Sequence, residues 1–394
     1  MKNSIFIAMV MMMLCCFGCG GGKDGGNKTS SLPEEDTTRL SSSDSINGAV
    51  DNVSENAGVV WTALKDSPFY SADGRRWDIS AMSIAWGKDK FVAGGGKWIE
   101  GGGGGAFIES ANLVSKNVAY SLDGITWTVI KNSFFDNYGI DQCIVWAKDR
   151  FIASSTIGGM VYSSDGITWA STAINPLRGI AVPSSVVWGN NIFVAGGSYC
   201  DEEGCRRGIA YSSDGINWDT VKDPPLGVNI ISANTSNGNK FFAYGDGRIA
   251  AYSLDGIIWT NVESRPFGES MISAIVWGGN KFVACGYGVS GSGSRTVNGK
   301  IAYSLDGITW TVVENHPFGK GVISAIVWGG NKFVASGYDI VSDNALCKIA
   351  YSSDGITWTV VKDYPFDKRP TKALAYGNGT FVAVSDDGKL AYSK

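Results

Sequence analysis

One ten-residue stretch, Ile301 to Trp310 (IAYSLDGITW), constrains the fold of this chain more than any other feature. Close copies end at Trp127 (YSLDGITW), Trp169 (YSSDGITW), Trp218 (YSSDGINW), Trp259 (YSLDGIIW) and Trp358 (YSSDGITW). Their aspartates, Asp123, Asp165, Asp214, Asp255, Asp306 and Asp354, recur every 41 to 51 residues. Ala302, Tyr303 and Ser304 alternate as a strand does. Asp306-Gly307 is the kind of dipeptide favoured in a tight two-residue hairpin turn, and Ile308 to Val313 alternates again. The stretch predicts a hairpin whose tryptophan faces a core.

A second motif lies between the hairpins. It reads AIVWGGNKFVASG over 325–337 and AIVWGGNKFVACG over 274–286, with variants starting at Ser83, Cys143, Ser185, Ala233 and Ala373. Each copy is two short apolar strands joined by a Gly/Asn turn. One repeat is therefore four antiparallel strands, and such units repeated at this period make a β-propeller. The predicted fold is all-β with seven blades of four strands each. The seventh blade begins at Ala373 and reaches Lys394 with three strands. Its fourth is found at the other end: Gly58 to Phe69 (GVVWTALKDSPF) aligns with Gly355 to Phe366 (GITWTVVKDYPF). Val59 to Leu64 is thus expected to close the ring as the outermost strand of blade 7, leaving no open edge between first and last blades. Tyr70 to Trp77 (YSADGRRW) is read as an insertion before blade 1.

The first residues read as a targeting signal: Lys2, an apolar run from Ile5 to Phe17, then Gly18 and Cys19. The run is short for a membrane span. CFGC (16–19) resembles the lipobox of bacterial lipoproteins, with Cys16 in place of the usual Leu. That resemblance implies cleavage after Gly18 and lipidation at Cys19. Residues up to 57 are rich in Gly, Ser and Asp without periodicity, the composition of a flexible tether. The expected organisation is a signal peptide over 1–18, lipidated Cys19 and tether over 19–57, and a propeller over 58–394. The expected location is the bacterial cell envelope, at the outer membrane or cell surface, with membrane contact through the anchor.

With 394 residues, 44% hydrophobic and 18% charged, the chain has ample material for one large repeat domain. A net charge of -4 offers no electrostatic case for nucleic acid. A single histidine argues against a zinc site, no phosphate-binding or calcium-binding loop is present, and no cofactor is expected. Cys200 and Cys205 flank DEEG and are read either as a small disulfide ring or as two thiols. A bridge between Cys285 and Cys347 is a further option, and Cys143 is expected to be buried. The head is expected to be a monomer.

The S-x-D-G-x-T-W turn resembles the Asp-box of sialidase-type (bacterial neuraminidase repeat) propellers, over nearly all of 58–394. The usual box has one more residue between Asp and Gly. In that family the box joins the third and fourth strands of a blade. The resemblance implies structural roles for Ser304, Asp306, Trp310 and their equivalents, with the aspartate accepting backbone hydrogen bonds. It implies no single function, because enzymes, sorting receptors and assembly factors all carry it. A sialidase-like site would need an arginine cluster, a Tyr–Glu pair and an acid/base Asp, but the family's F/Y-R-I-P motif is absent.

Repeated residues are read as structural, so functional candidates are sought among the unrepeated ones. The connections between second and third strands vary most: 94–116, 196–208, 286–299 and 337–348. In a propeller they emerge opposite the box turns, and binding residues tend to sit on such loops over a rigid scaffold. The candidate ligand-binding residues are Trp98, Glu100, Tyr199, Arg206, Arg207, Arg295, Tyr338 and Asp339. Asp201, Glu202, Tyr138, Arg178, Arg265, His316 and Arg369 are expected on the same face. Blade 4 carries Asn234, Thr235 and Ser236 where other blades have Ile-Val-Trp, read as a polar notch in the channel wall or as relaxed packing. The expected function is binding of a protein or a glycan through the variable-loop face. The alternatives are a secreted glycoside hydrolase using paired carboxylates or a sialidase-like site, and a structural envelope lipoprotein.

Overall fold

The structure, a computed structural model, describes residues 57–69, 79–97, 118–131, 140–155, 159–172, 182–201, 204–222, 231–245, 250–264, 266–268, 270–290, 296–341, 344–366 and 368–394. The segments expected to be signal peptide and tether, up to residue 56, and the expected insertion at 70–77 lie outside these residues.

Alternating apolar residues and turn residues dictate short strands. Among the described residues, twenty-eight strands form seven four-stranded antiparallel sheets. Blade 5 shows the pattern: Met271–Gly278, Lys281–Ser290, Thr296–Ser304 and Thr311–Val312, each paired with the next. The first strands of neighbouring blades run side by side and form the inner ring, which closes between Ile79–Gly87 of blade 1 and Thr371–Gly377 of blade 7. This is a seven-bladed β-propeller. The seventh sheet is completed as expected: Thr62–Ala63 pairs with Leu390–Ser393, Thr62 opposite Tyr392 and Ala63 opposite Ala391.

The core lies between the blades. The second strand of every blade carries a fully buried phenylalanine as its first or second residue: Phe91, Phe151, Phe193, Phe241, Phe282, Phe333 and Phe381. In six blades this ring packs on the aromatic ending the first strand, with centroids 4.6 Å apart for Trp86–Phe91 and 4.4 Å for Trp328–Phe333. The same aromatic lies over a glycine of the preceding blade: a Cβ on Gly377 would come 2.0 Å from Trp86, and one on Gly329 would come 2.1 Å from Tyr376. Each blade therefore needs its neighbour, the usual condition for a repeat architecture. First and second strands meet at turns with two positive-φ residues, such as Lys88 (43°) and Asp89 (62°), the geometry that matches strand twist.

The box turn departs from the tight hairpin that Asp-Gly predicts. In blade 5 the third strand stops at Ser304 and the fourth starts at Thr311, with Tyr303 opposite Thr311. Side-chain oxygens take the intervening N–H groups and hold the chain out of the ladder. The Ser304 hydroxyl donates to Asp306 Oδ1 (2.9 Å) and accepts from Gly307 N (2.8 Å). Asp306 Oδ1 also accepts from Ile308 N and Thr309 N, both at 2.7 Å. The other five intact boxes repeat this set. Gly307 sits at φ 74°, where a Cβ would also come 2.2 Å from Phe242. The position thus requires glycine for both conformation and space.

The seventh box is split between the two ends of the propeller. Gly58 N donates to Ser393 Oγ (2.7 Å), and Trp61 Nε1 donates to Gly58 O (3.2 Å), as Trp310 Nε1 does to Gly307 O. Gly58 has the box glycine's φ, 81°. The chain leading to residue 57 therefore reaches the propeller on the box-turn face.

Candidate functional site

Inner turns and box turns lie on one face. Lys88 Nζ donates to Ser164 O (2.9 Å), Lys148 Nζ to Ser213 O (2.6 Å) and Lys281 Nζ to Asp354 O (2.9 Å), each clasping the box of the next blade. Connections between second and third strands, and between blades, therefore emerge on the other face.

On that face the variable connections of blades 3, 5 and 6 continue as paired strands, while most of the blade 1 connection, 98–116, lies outside the described residues. In blade 6, Lys332–Val341 pairs with Asn344–Ser352 as far as Val341 opposite Asn344. In blade 5, Lys281–Ser290 and Thr296–Ser304 stay paired to Ser290 opposite Thr296. In blade 3, Ile192–Asp201 pairs with Gly204–Ser212 to Asp201 opposite Gly204. Among the described residues, three β-ribbons thus stand above the blade bodies. Blades 2 and 7 have short third strands, Met160–Ser163 and Leu390–Ser393, and carry no such ribbon.

The ribbons of blades 5 and 6 are joined at their bases by a buried cluster of Tyr287, Val322, Tyr338 and Cys347, flanked by Met271, Val297 and Tyr364. Burial pushes the Tyr338 hydroxyl up to about 12, helped by Tyr287 and Cys347. Burial likewise raises the Cys347 thiol, to about 11, so it remains a thiol that donates to Lys368 O (3.2 Å). Beside the cluster, Lys348 Nζ lies 3.2 Å from Asp339 Oδ2 and donates to Pro317 O (2.8 Å). This pair pins the ribbon of blade 6 to the connection between blades 5 and 6. His316, in that connection, accepts from Phe318 N through Nδ1 (3.3 Å). Burial lowers its pKa below the ordinary histidine value. At the ribbon edge Leu346 is 54% exposed.

The candidate residues separate accordingly. Tyr338 is buried at the ribbon base and Asp339 is ion-paired. The backbones of Tyr199, Arg206 and Arg207 are in the blade 3 ribbon, with Tyr199 opposite Arg206 and Ser198 opposite Arg207. Cys200 and Cys205 are directly opposite each other across that ribbon. Trp98, Glu100, Arg265 and Arg295 lie outside the described residues. Cys285 and Cys347 are free thiols, which removes the bridge considered between them, and Cys143 is a buried free thiol. In blade 4, Thr235 is buried and Ser236 Oγ accepts from Gly238 N (2.9 Å), while the side chain of Asn234 lies outside those described.

Sequence reasoning missed Tyr287, Leu346, Cys347, Lys348 and Tyr364 as parts of one assembly. The signal available was the repeated Gly-Tyr of 286–287 and 337–338, which continues strand alternation past the motif's end. Of the carboxylates considered for a glycosidase, Asp339 is the one whose side chain is described, and it is committed to Lys348. An open cleft of ≈ 420 Å³ at the rim between blades 5 and 6 is lined by Tyr303, Thr311, Val312, Val313, Glu314, Asn315, Ile356 and Thr357, with one carboxylate among them. Among the described residues, no cluster of three His, Cys, Asp or Glu side chains is placed to hold a metal.

No family model matches the chain, and no curated protein matches it. Solved structures do. YCF48 bound to D1 peptide aligns over 84% of this chain and 96% of its own, with TM-score 0.54 and 14% identity. A catalytically inactive virginiamycin B lyase from Staphylococcus aureus, with quinupristin, aligns over 85% and 99%, with TM-score 0.56 and 13% identity. A chain of the mitotic checkpoint complex aligns over 90% and 98%, with TM-score 0.54 and 11% identity. At these identities the likeness is one of fold, and it spans binding proteins and an enzyme alike.

Proposed function

We propose that this chain is a membrane-held binding protein that recognises a protein partner with the ribbon face of its propeller. The observation that carries this reading is the raised wall of blades 5 and 6. Two neighbouring blades extend their middle strands beyond the body, lock them together through Tyr287, Tyr338 and Cys347, and expose Leu346 at the edge. A fixed wall beside lower blades is a surface for an extended or protruding polypeptide, because little loop entropy is lost when it is engaged. The peptide-bound YCF48 structure supports it as an instance of a propeller with a polypeptide ligand. Lipidation at Cys19 would hold the head at the envelope, as the lipobox resemblance implies.

The test is exchange of the blade 6 ribbon. Residues 339–346 are replaced by a short Asp-Gly turn of the kind blade 7 uses at Asp387-Gly388, and partners are captured from envelope extracts by the full chain. The expected result is loss of a specific protein partner with the unfolding transition retained. Undiminished capture, or binding to a glycan panel that the exchange leaves unchanged, overturns the reading.

A further inference from the structure

The turn face, opposite the ribbons, exposes aliphatic side chains at the tips of blades on both sides of the ring. Leu122 of blade 1 is 59% exposed, Leu254 and Ile258 of blade 4 are 61% and 74%, Leu305 of blade 5 is 70%, and Val60 in the split box of blade 7 is 61%. Folding does not ask for them. At the Leu positions other boxes carry Ser164, Ser213 and Ser353, and at the Ile258 and Val60 positions they carry Thr126, Thr309 and Thr357. The threonines also leave a useful partner behind, since Thr126 Oγ1 donates to Asp123. Blades 7 and 1 stand across the ring from blades 4 and 5, so these tips define a plane rather than a strip. Inside them, half-buried aromatics (Trp86, Trp146, Trp188, Trp277, Trp328 and Tyr376) end the first strands around the channel mouth. Aliphatic tips and aromatic rings on one face are the composition of a surface seated in a membrane interface.

The chain itself names the occupant. The segment that carries Cys19 joins the propeller at Gly58, on this same face, in the box of blade 7 and against Val334 of blade 6. We infer that the turn face docks flat on the bilayer holding the lipid anchor, with the aliphatic tips in the interfacial layer and the ribbons directed away from it. This rests on the anchored reading above. Exposed Lys88 and Lys148 are matched on the face by exposed Asp89 and Asp149 and by the box carboxylates. Docking is therefore apolar in origin and independent of anionic headgroups.

The test uses the full chain in phosphatidylcholine vesicles with brominated acyl chains, with and without phosphatidylglycerol. Fluorophores are placed at Leu305→Cys, Ile167→Cys or Leu346→Cys in a Cys200→Ser/Cys205→Ser background. Quenching at 305 and 167, none at 346, and no dependence on phosphatidylglycerol are expected. The variant Val60→Thr/Leu122→Ser/Leu254→Ser/Ile258→Thr/Leu305→Ser, built from residues other boxes already use, should unfold as the parent does and lose quenching at 167. Equal quenching on both faces, quenching at 346 alone, or none at all overturns the proposal. Palmitate incorporation, abolished by Cys19→Ser, reports separately on the anchor: quenching at the tips without palmitate refutes the anchor and keeps the docking face.

Discussion

On the turn face, six boxes repeat the same four hydrogen bonds to within about a tenth of an ångström, whereas on the ribbon face neighbouring blades end differently. Blade 6 carries a ribbon locked to blade 5, and blade 7 ends in a short turn at Asp387-Gly388. One face is therefore specified by the fold, and its residues recur because every blade meets the same neighbours. The other is free of that requirement, and its residues vary. Substitutions should divide accordingly: costly to stability within the repeated box set of the turn face, nearly silent at the exposed edge of the ribbon.

The severest break is expected where the turn side is not covalently continuous. Trp61 is buried in the split box and packs with Phe381 and Val334. Trp61→Ala should cost about 4 kcal/mol in denaturant unfolding. An intact box gives the next effect. In Gly307→Ala the left-handed backbone and the overlap with Phe242 should together cost about 3 kcal/mol.

A smaller effect belongs to the box carboxylates. Asp306→Ala leaves two turn N–H groups to water or to poorer partners, for about 1 kcal/mol. The same bonds set the acid response. Burial alone would raise Asp354, but the N–H groups of Thr357 and Ile356 and the hydroxyl of Ser352 outweigh it, leaving its pKa at about 2 against an ordinary 3.8. A carboxyl held below its unfolded value contributes fully above that value and loses its contribution as pH falls through the folded one. Urea midpoints should therefore decline between about pH 4 and pH 2, and less steeply in Asp354→Asn. The smallest change in stability is expected on the ribbon. Leu346→Ser should stay within about 0.5 kcal/mol of the parent while weakening partner capture.

The architecture was legible because one motif reports on every blade. Period, strand count and the alignment of Gly58–Phe69 with Gly355–Phe366 were enough to place the closing strand. The turn itself departs from what Asp-Gly predicts. Asp-Gly signals a two-residue hairpin, but Ser304 and Asp306 hold the turn's N–H groups, and pairing with the third strand starts only at Thr311. The ribbons were read as loops because GSGSR and DEEG look like turns, and strand pairing around them depends on the partner strand. The sequence places Tyr338 on a variable connection, but its burial depends on Tyr287 of another blade, a contact that no local pattern encodes.

The most direct measurement of this division is photo-crosslinking in intact cells, with a photo-reactive amino acid at Leu346 or at Leu305. A discrete protein adduct from position 346, lost on exchange of the blade 6 ribbon and absent from position 305, is the predicted result. Protein adducts from position 305 with none from 346 would contradict it.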